Sequence, residues 1–375
     1  MLRYLTSGES HGECMVAILE GMPSGLRVNQ GLIDRDCARR RFGFGRGKRM
    51  RIEPDKVRIV SGVRNRTTLG SPITLIIDNA DFSIDRLSSI ANPRPGHADL
   101  AGALKYDHRD IRNVLERSSA RDTVSRVAVG AFAKMLLGEF GIDILSHVKG
   151  IGSVRADTRG LSFNEIRSRA ERSPVRCAEK RASGEMCDEI DEAARSGDSL
   201  GGSFEIVARN VPPGLGSHVQ WDRKIDGIIA QALMSIQAIK AVAFGSYTDD
   251  TFDLKGSDLH DEIRYLAQKG FHRKSNHAGG VEGGMTNGEE IIIRVVMKPI
   301  ATLGRPLESV NIRTKRPVRA AVERSDICAV PSAGIVGEAV VGFALAGALL
   351  EKFGGDSIKE LRRNFEGYRK QVREF

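Results

Sequence analysis

A long apolar segment near the C-terminus, rich in small residues, constrains this fold more than any other feature of the sequence. Apolar and small side chains recur there at helical spacing, ahead of glycines at 354 and 355: Val336, Ala339, Val340, Phe343, Ala344 and Gly347. The spacing predicts a helix that ends at the glycine pair. Because glycine and alanine let neighbouring elements approach closely, we expect this helix to pack in the interior.

The rest of the chain alternates between helical and extended patterns. Helical apolar spacing covers residues 124–136, 225–236 and 361–372, and short β-branched runs cover residues 57–60, 73–77, 204–207 and 291–296. The two kinds interleave without regular βαβ units, and no GxGxxG follows a strand, so a nucleotide-binding doubly wound sheet is not supported. The pattern predicts an α+β fold. For the last helical segment, docking on its own core is favoured over a subunit contact.

The cysteine pattern bears on metal binding and compartment. The five cysteines form no CxxC pair: Cys14, Cys37, Cys177, Cys187 and Cys328. An odd number without paired spacing argues against a disulfide framework and a zinc site, and we expect no metal. Free thiols suit the reducing cytoplasm. No apolar stretch approaches the ~18 residues of a membrane span, and no leader pattern opens the sequence, so neither a span nor a signal peptide is expected.

Residues 39–51 form a basic run with seven cations and three glycines. Guanidinium groups on a glycine-hinged loop can bind a phosphate or carboxylate through paired hydrogen bonds. A solvated charged loop and an RNA-binding segment fit the run equally well. The formal net charge of +9 agrees with nucleic acid, an anionic membrane face or a small polyanionic substrate.

Other polar segments have the composition of binding or catalytic sites, although each alone could be an ordinary turn or cap. They cover residues 8–12, 92–99, 117–122, 275–288 and 323–326. Two of them contain His11 and His97, and histidine titrates nearest neutrality, which suits acid catalysis. Residues 117–122 combine arginines and serines with the free N–H groups of a helix start, an arrangement that binds anions. The glycine-rich fourth lacks the GK[ST] of a P-loop.

The order of these segments is more specific than any one of them. Between residue 7 and about residue 340 the chain contains GESHG, RRxxGxGRGxRM, RPGHAD, LERSSARDT, SNHAGGVEGG and RSDICAVP. This order and spacing resemble the chorismate synthase family. Two positions depart from the family pattern: Asp107 replaces a frequent glycine, and His277 stands where asparagine is also common.

The resemblance implies a single domain over residues 1–375, a β-α-β sandwich with central helices between antiparallel sheets, usually assembled as a homotetramer. The implied reaction is an anti-1,4-elimination of phosphate from 5-enolpyruvylshikimate-3-phosphate (EPSP). It yields chorismate, the last step of the shikimate pathway, and requires reduced FMN without net redox change. An external flavin reductase would supply the electrons, with NADPH as an indirect reductant. No nucleic-acid or membrane partner is implied.

The resemblance also implies roles for individual residues. His11 would protonate the departing phosphate, His97 would lie by the reduced flavin, and Asp326 would help flavin N5 accept the substrate proton. The anion-binding positions are Arg40, Arg46, Arg49, Arg94, Arg121 and Arg324. The FMN positions are Arg117, Ser118, Ser119, Gln237, Ala238, Gly283, Lys298, Pro299, Ile300, Ala301, Thr302 and Arg324, and those associated with NADP are Arg40 and Arg46.

Two rival functions belong to other classes. An RNA-binding protein would use the basic run, but aromatic residues make up only 5% of the chain, and within the run only Phe42 and Phe44 could stack on bases. Single-strand binding generally needs such stacking platforms. The second rival is a phosphatase that handles the same anion without flavin.

Overall fold

The computed structural model describes residues 1–47, 52–247, 251, 253–268, 270–323 and 325–375. Within them the helices are α1 (Gln30–Arg41), α2 (Asp99–Tyr106), α3 (Arg112–Ser118), α4 (Thr123–Gly138), α5 (Phe163–Arg172), α6 (Lys180–Ser196), α7 (Ile225–Met234), α8 (Gly256–Leu259), α9 (Val330–Phe353) and α10 (Ile358–Glu374). The strands are β1 (Arg3–Ser7), β2 (Cys14–Glu20), β3 (Arg58–Ile59), β4 (Val63–Arg64), β5 (Thr67–Thr68), β6 (Ile73–Asp78), β7 (Asp143–Ile151), β8 (Val154–Arg155), β9 (Gly202–Arg209), β10 (Ile239–Phe244), β11 (Ile263–Leu266), β12 (Gly270–Arg273), β13 (Val281–Glu282), β14 (Met285–Thr286), β15 (Ile291–Met297), β16 (Glu308–Val310) and β17 (Pro317–Arg319).

Helix α9 is the predicted interior helix, and it ends at Gly354 as the sequence indicates. By length and composition α9 could cross a membrane. The expectation that no apolar stretch approaches the length of a membrane span was therefore wrong. However, 78% of its most apolar window is buried. A helix that is apolar on all sides belongs in a protein core or a bilayer, and this burial marks a core helix.

Small residues set the distance between α9 and α4. Gly130 of α4 lies against Ala339 of α9 so closely that a Cβ at position 130 would overlap the alanine. The fully buried side chains of the two helices include Phe132 and Leu136 of α4 and Leu345 of α9. The prediction that small residues allow close packing in the interior is therefore confirmed.

Two antiparallel sheets enclose this helical layer. The first has the order β1-β2-β6-β3, and the second has the order β10-β15-β9-β7-β8. Helix α4 packs on β2 and β6, whereas α9 packs on β7 and β9. The four runs predicted as extended all lie in these sheets. The architecture is a sandwich of sheet, helices and sheet, and both the predicted α+β class and the implied arrangement are confirmed.

The other predicted helices also form. Helix α10 packs on its own core, because Leu361 and Phe365 are buried and the Phe365 ring centroid lies 5.2 Å from that of Phe353. Ser119 does not cap α4 directly. Its side chain accepts from Arg121 N and caps a 3₁₀ turn that leads into α4.

The unusual Asp107 closes helix α2 in a left-handed conformation, with φ of 52°. Glycine adopts this conformation without a steric cost, and aspartate tolerates it better than most residues. The departure from the family pattern therefore keeps the backbone shape that glycine would give.

Candidate active site

His11 lies in the loop between β1 and β2, and its side chain is 18% exposed. The loop turns at Gly8, where φ is 105° and a Cβ would overlap the carbonyl oxygen of Cys14. His11 Nδ1 lies 2.9 Å from Glu116 Oε2, and the His11 backbone N–H donates to the same oxygen at 2.8 Å. Nε2 lies 3.8 Å from Asp81 Oδ2. The imidazole is thus held on its Nδ1 side by a residue of α3.

Glu116 is itself buried, and it stays ionised because of its neighbours. Burial by itself would raise its pKa, but hydrogen bonds from the His11 side chain and backbone, with the charges of His11 and Arg112, lower it overall. Arg112 Nη1 lies 3.6 Å from Glu116 Oε1, and Arg112 Nη2 donates to Glu323 Oε1 at 3.1 Å. The chain of contacts runs from the His11 loop to the segment that precedes α9.

The second histidine is held in a similar way. His97 Nδ1 lies 2.5 Å from Oδ1 of the fully buried Asp99, and Arg94 Nε donates to Asp99 Oδ2 at 2.8 Å. Burial would raise the pKa of Asp99, but the hydrogen bonds and charges of His97 and Arg94 hold it well below its usual range. Because two prolines flank Arg94 in the sequence, the backbone of this loop is stiff.

The 298–302 segment, which the resemblance implies for FMN binding, contacts the loop that contains His97. Arg94 Nη1 donates to Thr302 Oγ1 at 2.7 Å, and Lys298 Nζ donates to Gly96 O. The Lys298 backbone N–H donates to Ala238 O at 2.9 Å. Residues 298–302, Ala238 and the 92–99 loop, which are far apart in sequence, therefore form one contact region.

Arg46 and Asp326 form an ion pair at the edge of the same region. Their Nη1 and Oδ2 atoms are 2.5 Å apart, and Gly47 N donates to Asp326 Oδ1 at 2.6 Å. Ser325 Oγ donates to Thr302 O at 3.1 Å, which joins the pair to the 298–302 segment. Burial lowers the pKa of Arg46. Its buried Nε has no hydrogen-bond partner among the described residues.

The basic run is not a continuous loop as predicted. Arg39, Arg40 and Arg41 form the last turn of α1, and the loop begins at Phe42. Arg40 is fully buried, and its Nη2 donates to Asp55 Oδ2 at 2.7 Å. A solvated surface segment is therefore wrong for this part of the run.

Arg121 shares Asp55 with Arg40 and also supports the His11 loop. Arg121 Nη1 donates to Asp55 Oδ1, and Arg121 Nε donates to Asn79 Oδ1 at 2.8 Å. Asn79 Nδ2 in turn donates to Gly12 O at 2.7 Å. Burial would raise the pKa of Asp55, but both guanidiniums lower it overall.

Arg117 and the two serines after it stand beside the same loop. Arg117 Nη1 donates to Gly8 O at 3.0 Å, and the side chain is still 41% exposed. Ser118 Oγ donates to Val114 O at 2.8 Å, whereas Ser119 caps the turn before α4. Arg117 is thus a partly exposed cation on the strand β1 side of the His11 loop.

Most of the predicted residues belong to one of two contact networks, one around His11 and one around His97, and a few stand apart from both. Gly283 lies in the turn between β13 and β14 with φ of 59°, and a Cβ there would meet nothing within 4 Å. Arg49 and Arg324 lie outside the described residues. A separate cleft of about 1210 Å³ is lined mainly by residues of α1, α4 and α5, and none of the described predicted site residues lines it.

Sequence reasoning missed the carboxylates and amide that hold the predicted cations. Glu116 and Asp99 stand inside the LERSSARDT and RPGHAD segments, so their position was a usable signal. Asp55 and Asn79 stand outside all the singled-out segments, and only the fold brings them to Arg121.

These features define an α+β protein whose candidate site suits an anionic small molecule, with buried guanidiniums and two carboxylate-bound histidines. The family model for chorismate synthase matches residues 2–350, and the chain belongs to the chorismate synthase family. Its relatives include chorismate synthases of Symbiobacterium thermophilum, 52% identical over 99% of this chain and 99% of that protein, and of Desulforudis audaxviator, 53% identical over 100% and 98%. A solved crystal structure of chorismate synthase matches with a TM-score of 0.82 and 43% identity, covering 100% of this chain and 99% of the other. These comparisons give the RNA-binding alternative no support.

Proposed function

We propose that this chain eliminates phosphate from EPSP to form chorismate, as a carbon–oxygen lyase of the shikimate pathway. The observation that carries the proposal is similarity to proteins named chorismate synthase at about half identity over the whole chain. The arrangement of the candidate site agrees with it, because cations and histidines from distant segments meet in connected contacts.

The substrate carries a phosphate and two carboxylates, and guanidinium groups are matched to such anions. Arg46 fits this role because its Nε is buried without a hydrogen-bond partner among the described residues. Arg94 has both a side-chain bond to Thr302 and a bond to Asp99, so its guanidinium is held in one orientation. Arg40 and Arg121 are deeper and share Asp55. Because the buried carboxylates of Asp55 and Glu53 balance both charges, their proposed role is to fix the walls of the site.

His11 is the proposed acid that protonates the departing phosphate. Departure of phosphate leaves negative charge on the oxygen that was bonded to carbon, and a positioned proton donor lowers the barrier to that step. His11 is only partly exposed, and one side of its ring is held by Glu116. The other ring nitrogen is the one that can face the substrate.

The residues present fit the reduced FMN that the family requires. Gln237 Oε1 is a buried acceptor without a partner among the described residues, and a flavin ring presents an N–H donor. Lys298 and Arg117 offer cations for the flavin phosphate, and the turn at Gly283 leaves open space. When bound, the reduced flavin supplies electron density that helps the carbon–oxygen bond to break. His97 and Asp326 are the proposed polar neighbours of its ring.

We further propose how the enzyme is assembled and supplied with electrons. The chain acts as a single domain in a homotetramer, with its reductant delivered by an external flavin reductase. All five cysteines are free, which supports a reducing cytoplasm. Binding of NADP at Arg40 and Arg46, and NADPH as an indirect reductant, stay predictions.

Removal of the flavin is the test of this function. With EPSP under anaerobic conditions, we expect equal amounts of phosphate and chorismate when FMN and a reductant are present, and neither product when FMN is omitted. The measurement is a phosphate assay run beside chromatographic detection of chorismate. Phosphate release in air without flavin would instead support the phosphatase.

Arg46→Ala is expected to raise the KM for EPSP by about 10–100-fold, because a charged hydrogen bond contributes roughly 1.5–3 kcal/mol. The change should leave kcat less affected, and anaerobic steady-state kinetics over a range of EPSP concentrations separates the two. Arg159→Ala is the matched control, since Arg159 is 91% exposed and pairs with Asp157 on a surface turn. An unchanged KM in Arg46→Ala would show that Arg46 lies outside the pocket.

A further inference from the structure

Glu116 contacts the His11 loop at three points, which is more than an ordinary ion pair provides. Its carboxylate accepts from the His11 backbone N–H at 2.8 Å and lies 2.9 Å from Nδ1. Its own backbone carbonyl accepts from the Ser10 N–H at 3.0 Å. One residue of α3 therefore fixes both the backbone and the ring of the histidine.

The chemistry of this contact selects one tautomer of the ring. A carboxylate can only accept hydrogen bonds, whereas a neutral imidazole carries its single N–H on either nitrogen. Nδ1 of His11 lies 2.9 Å from Glu116, whereas Nε2 lies 3.8 Å from Asp81, beyond hydrogen-bonding distance, so the neutral ring carries its proton on Nδ1. The nitrogen that exchanges a proton with substrate is then Nε2.

Glu116 is well suited to hold this arrangement. Its side chain is 2% exposed, so water does not compete for the carboxylate. Arg112 supports the other oxygen, with Nη1 3.6 Å from Oε1. Arg112 in turn donates to Glu323 at 3.1 Å, which holds its charge beside Glu116.

Another buried histidine of this chain shows the opposite arrangement. His147 Nε2 lies 3.1 Å from Glu205 Oε1, and its Nδ1 is buried without a hydrogen-bond partner among the described residues. This pair belongs to neighbouring strands of the second sheet. The two histidines therefore differ in the nitrogen that lies within hydrogen-bonding distance of a glutamate, which is Nε2 in His147 and Nδ1 in His11.

We propose that Glu116 is a positioning residue for His11, which it holds with a proton on Nδ1 so that Nε2 delivers the proton to the departing phosphate. The inference rests on the proposed function. In this step the Nε2–H bond breaks and an O–H bond forms on the phosphate, which takes the electron pair of its broken bond to carbon, and loss of a proton from the substrate carbon skeleton completes the elimination. The ring becomes neutral and keeps its Nδ1–H bonded to Glu116. No sequence motif assigns Glu116 this role.

Glu116→Gln tests the proposal in the ligand-free protein and in turnover. Glutamine has nearly the same shape, but its amide can also donate to Nδ1, so we expect the Nε2–H tautomer to appear in ¹⁵N NMR of the His11 ring. Turnover should fall by roughly 10²-fold or more, since loss of an orienting partner costs about 10–100-fold in metal sites and up to ~10⁴-fold in a catalytic triad. The KM for EPSP should change by less than about threefold, because the binding arginines are untouched.

Glu116→Asp keeps a group that only accepts, and it should retain the Nδ1–H tautomer and recover at least part of the lost rate. It also keeps the test decisive if the glutamine variant folds poorly. Glu205→Gln is the matched control, because it alters the other histidine–carboxylate pair and should leave kcat unchanged.

An unchanged tautomer in Glu116→Gln, or a kcat near that of the wild type, would overturn the positioning role. Failure of the proposed function is distinguishable from this result. In that case the wild-type protein itself would release no phosphate from EPSP, while the NMR tautomer of His11 would still show whether Glu116 controls the ring.

Discussion

His11→Ala is expected to lower kcat by roughly 10²–10⁴-fold, the usual contribution of a positioned acid. Without the imidazole, the phosphate must leave as a more highly charged anion or take its proton from water. EPSP binding should change little, because His11 is held by Glu116 rather than by the arginines of the site. The measurement is single-turnover chorismate formation under anaerobic conditions with reduced FMN, which separates chemistry from product release.

His218→Ala is the control for this variant, because His218 is exposed and lies in no predicted site segment. It should retain the wild-type rate. A rate near wild type in His11→Ala would show that His11 is not the acid. Glu116 would then have no catalytic acid to position.

Glu338→Gln is expected to lower the free energy of unfolding by about 3–5 kcal/mol, the typical loss when one partner of a buried ion cluster is neutralised. Glu338 is fully buried on α9 and holds cations of α1, of α4 and of the segment between α5 and α6. Its carboxylate accepts from Arg39 at 2.7 Å, from Lys134 at 3.2 Å and from Arg176 at 3.4 Å. It also accepts from the Ser146 N–H at 2.8 Å. The amide would remove a carboxylate that all three cations share, and only their pairs with Asp36 and Glu171 would remain among the described residues.

The same carboxylate makes stability depend on pH. Burial by itself would raise the pKa of Glu338, but its cations hold that pKa far below the ordinary 4.5. A depressed pKa in the folded state contributes stability that is fully present above about pH 4.5 and is lost as the pH falls further. The wild-type advantage over Glu338→Gln should therefore be largest near neutrality and shrink in acid.

Urea unfolding at several pH values between about 7 and 3 would measure both effects. Glu351→Gln is the control, because Glu351 is half exposed and pairs with a surface arginine. Surface pairs contribute about 0–1 kcal/mol, so this change should have little effect. Equal stability of wild type and Glu338→Gln at neutral pH would contradict the role given to the buried cluster.

The parts of the fold that the sequence predicts are those set by local periodicity. Helix α9 was predictable because small and apolar residues recur at helical spacing along it, and the sheet strands because β-branched residues cluster in them. Helix α1 was not predictable from local periodicity, because it lacks an apolar stripe. Its buried face includes Asp36 and Arg40, whose partners stand elsewhere in the chain.

The candidate site was predictable in its cations and histidines but not in what holds them. His11 stands out between glycines, whereas Glu116 reaches it across 105 residues of sequence. Asp55 joins Arg40 and Arg121 only because α1 and the turn before α4 meet in the fold. Such pairings are tertiary: the LERSSARDT segment could single out Glu116 as a candidate, but only the fold shows that its partner is His11.

The central claim is that arginines and both histidines line one pocket in which reduced flavin lies against EPSP. An anaerobic crystal structure of the complex with reduced FMN and EPSP tests it most directly. We predict that the substrate phosphate lies within hydrogen-bonding distance of His11 Nε2 and that the flavin ring lies beside His97 and Asp326. Ligands bound instead in the separate cleft beside α1, away from both histidines, would contradict the account.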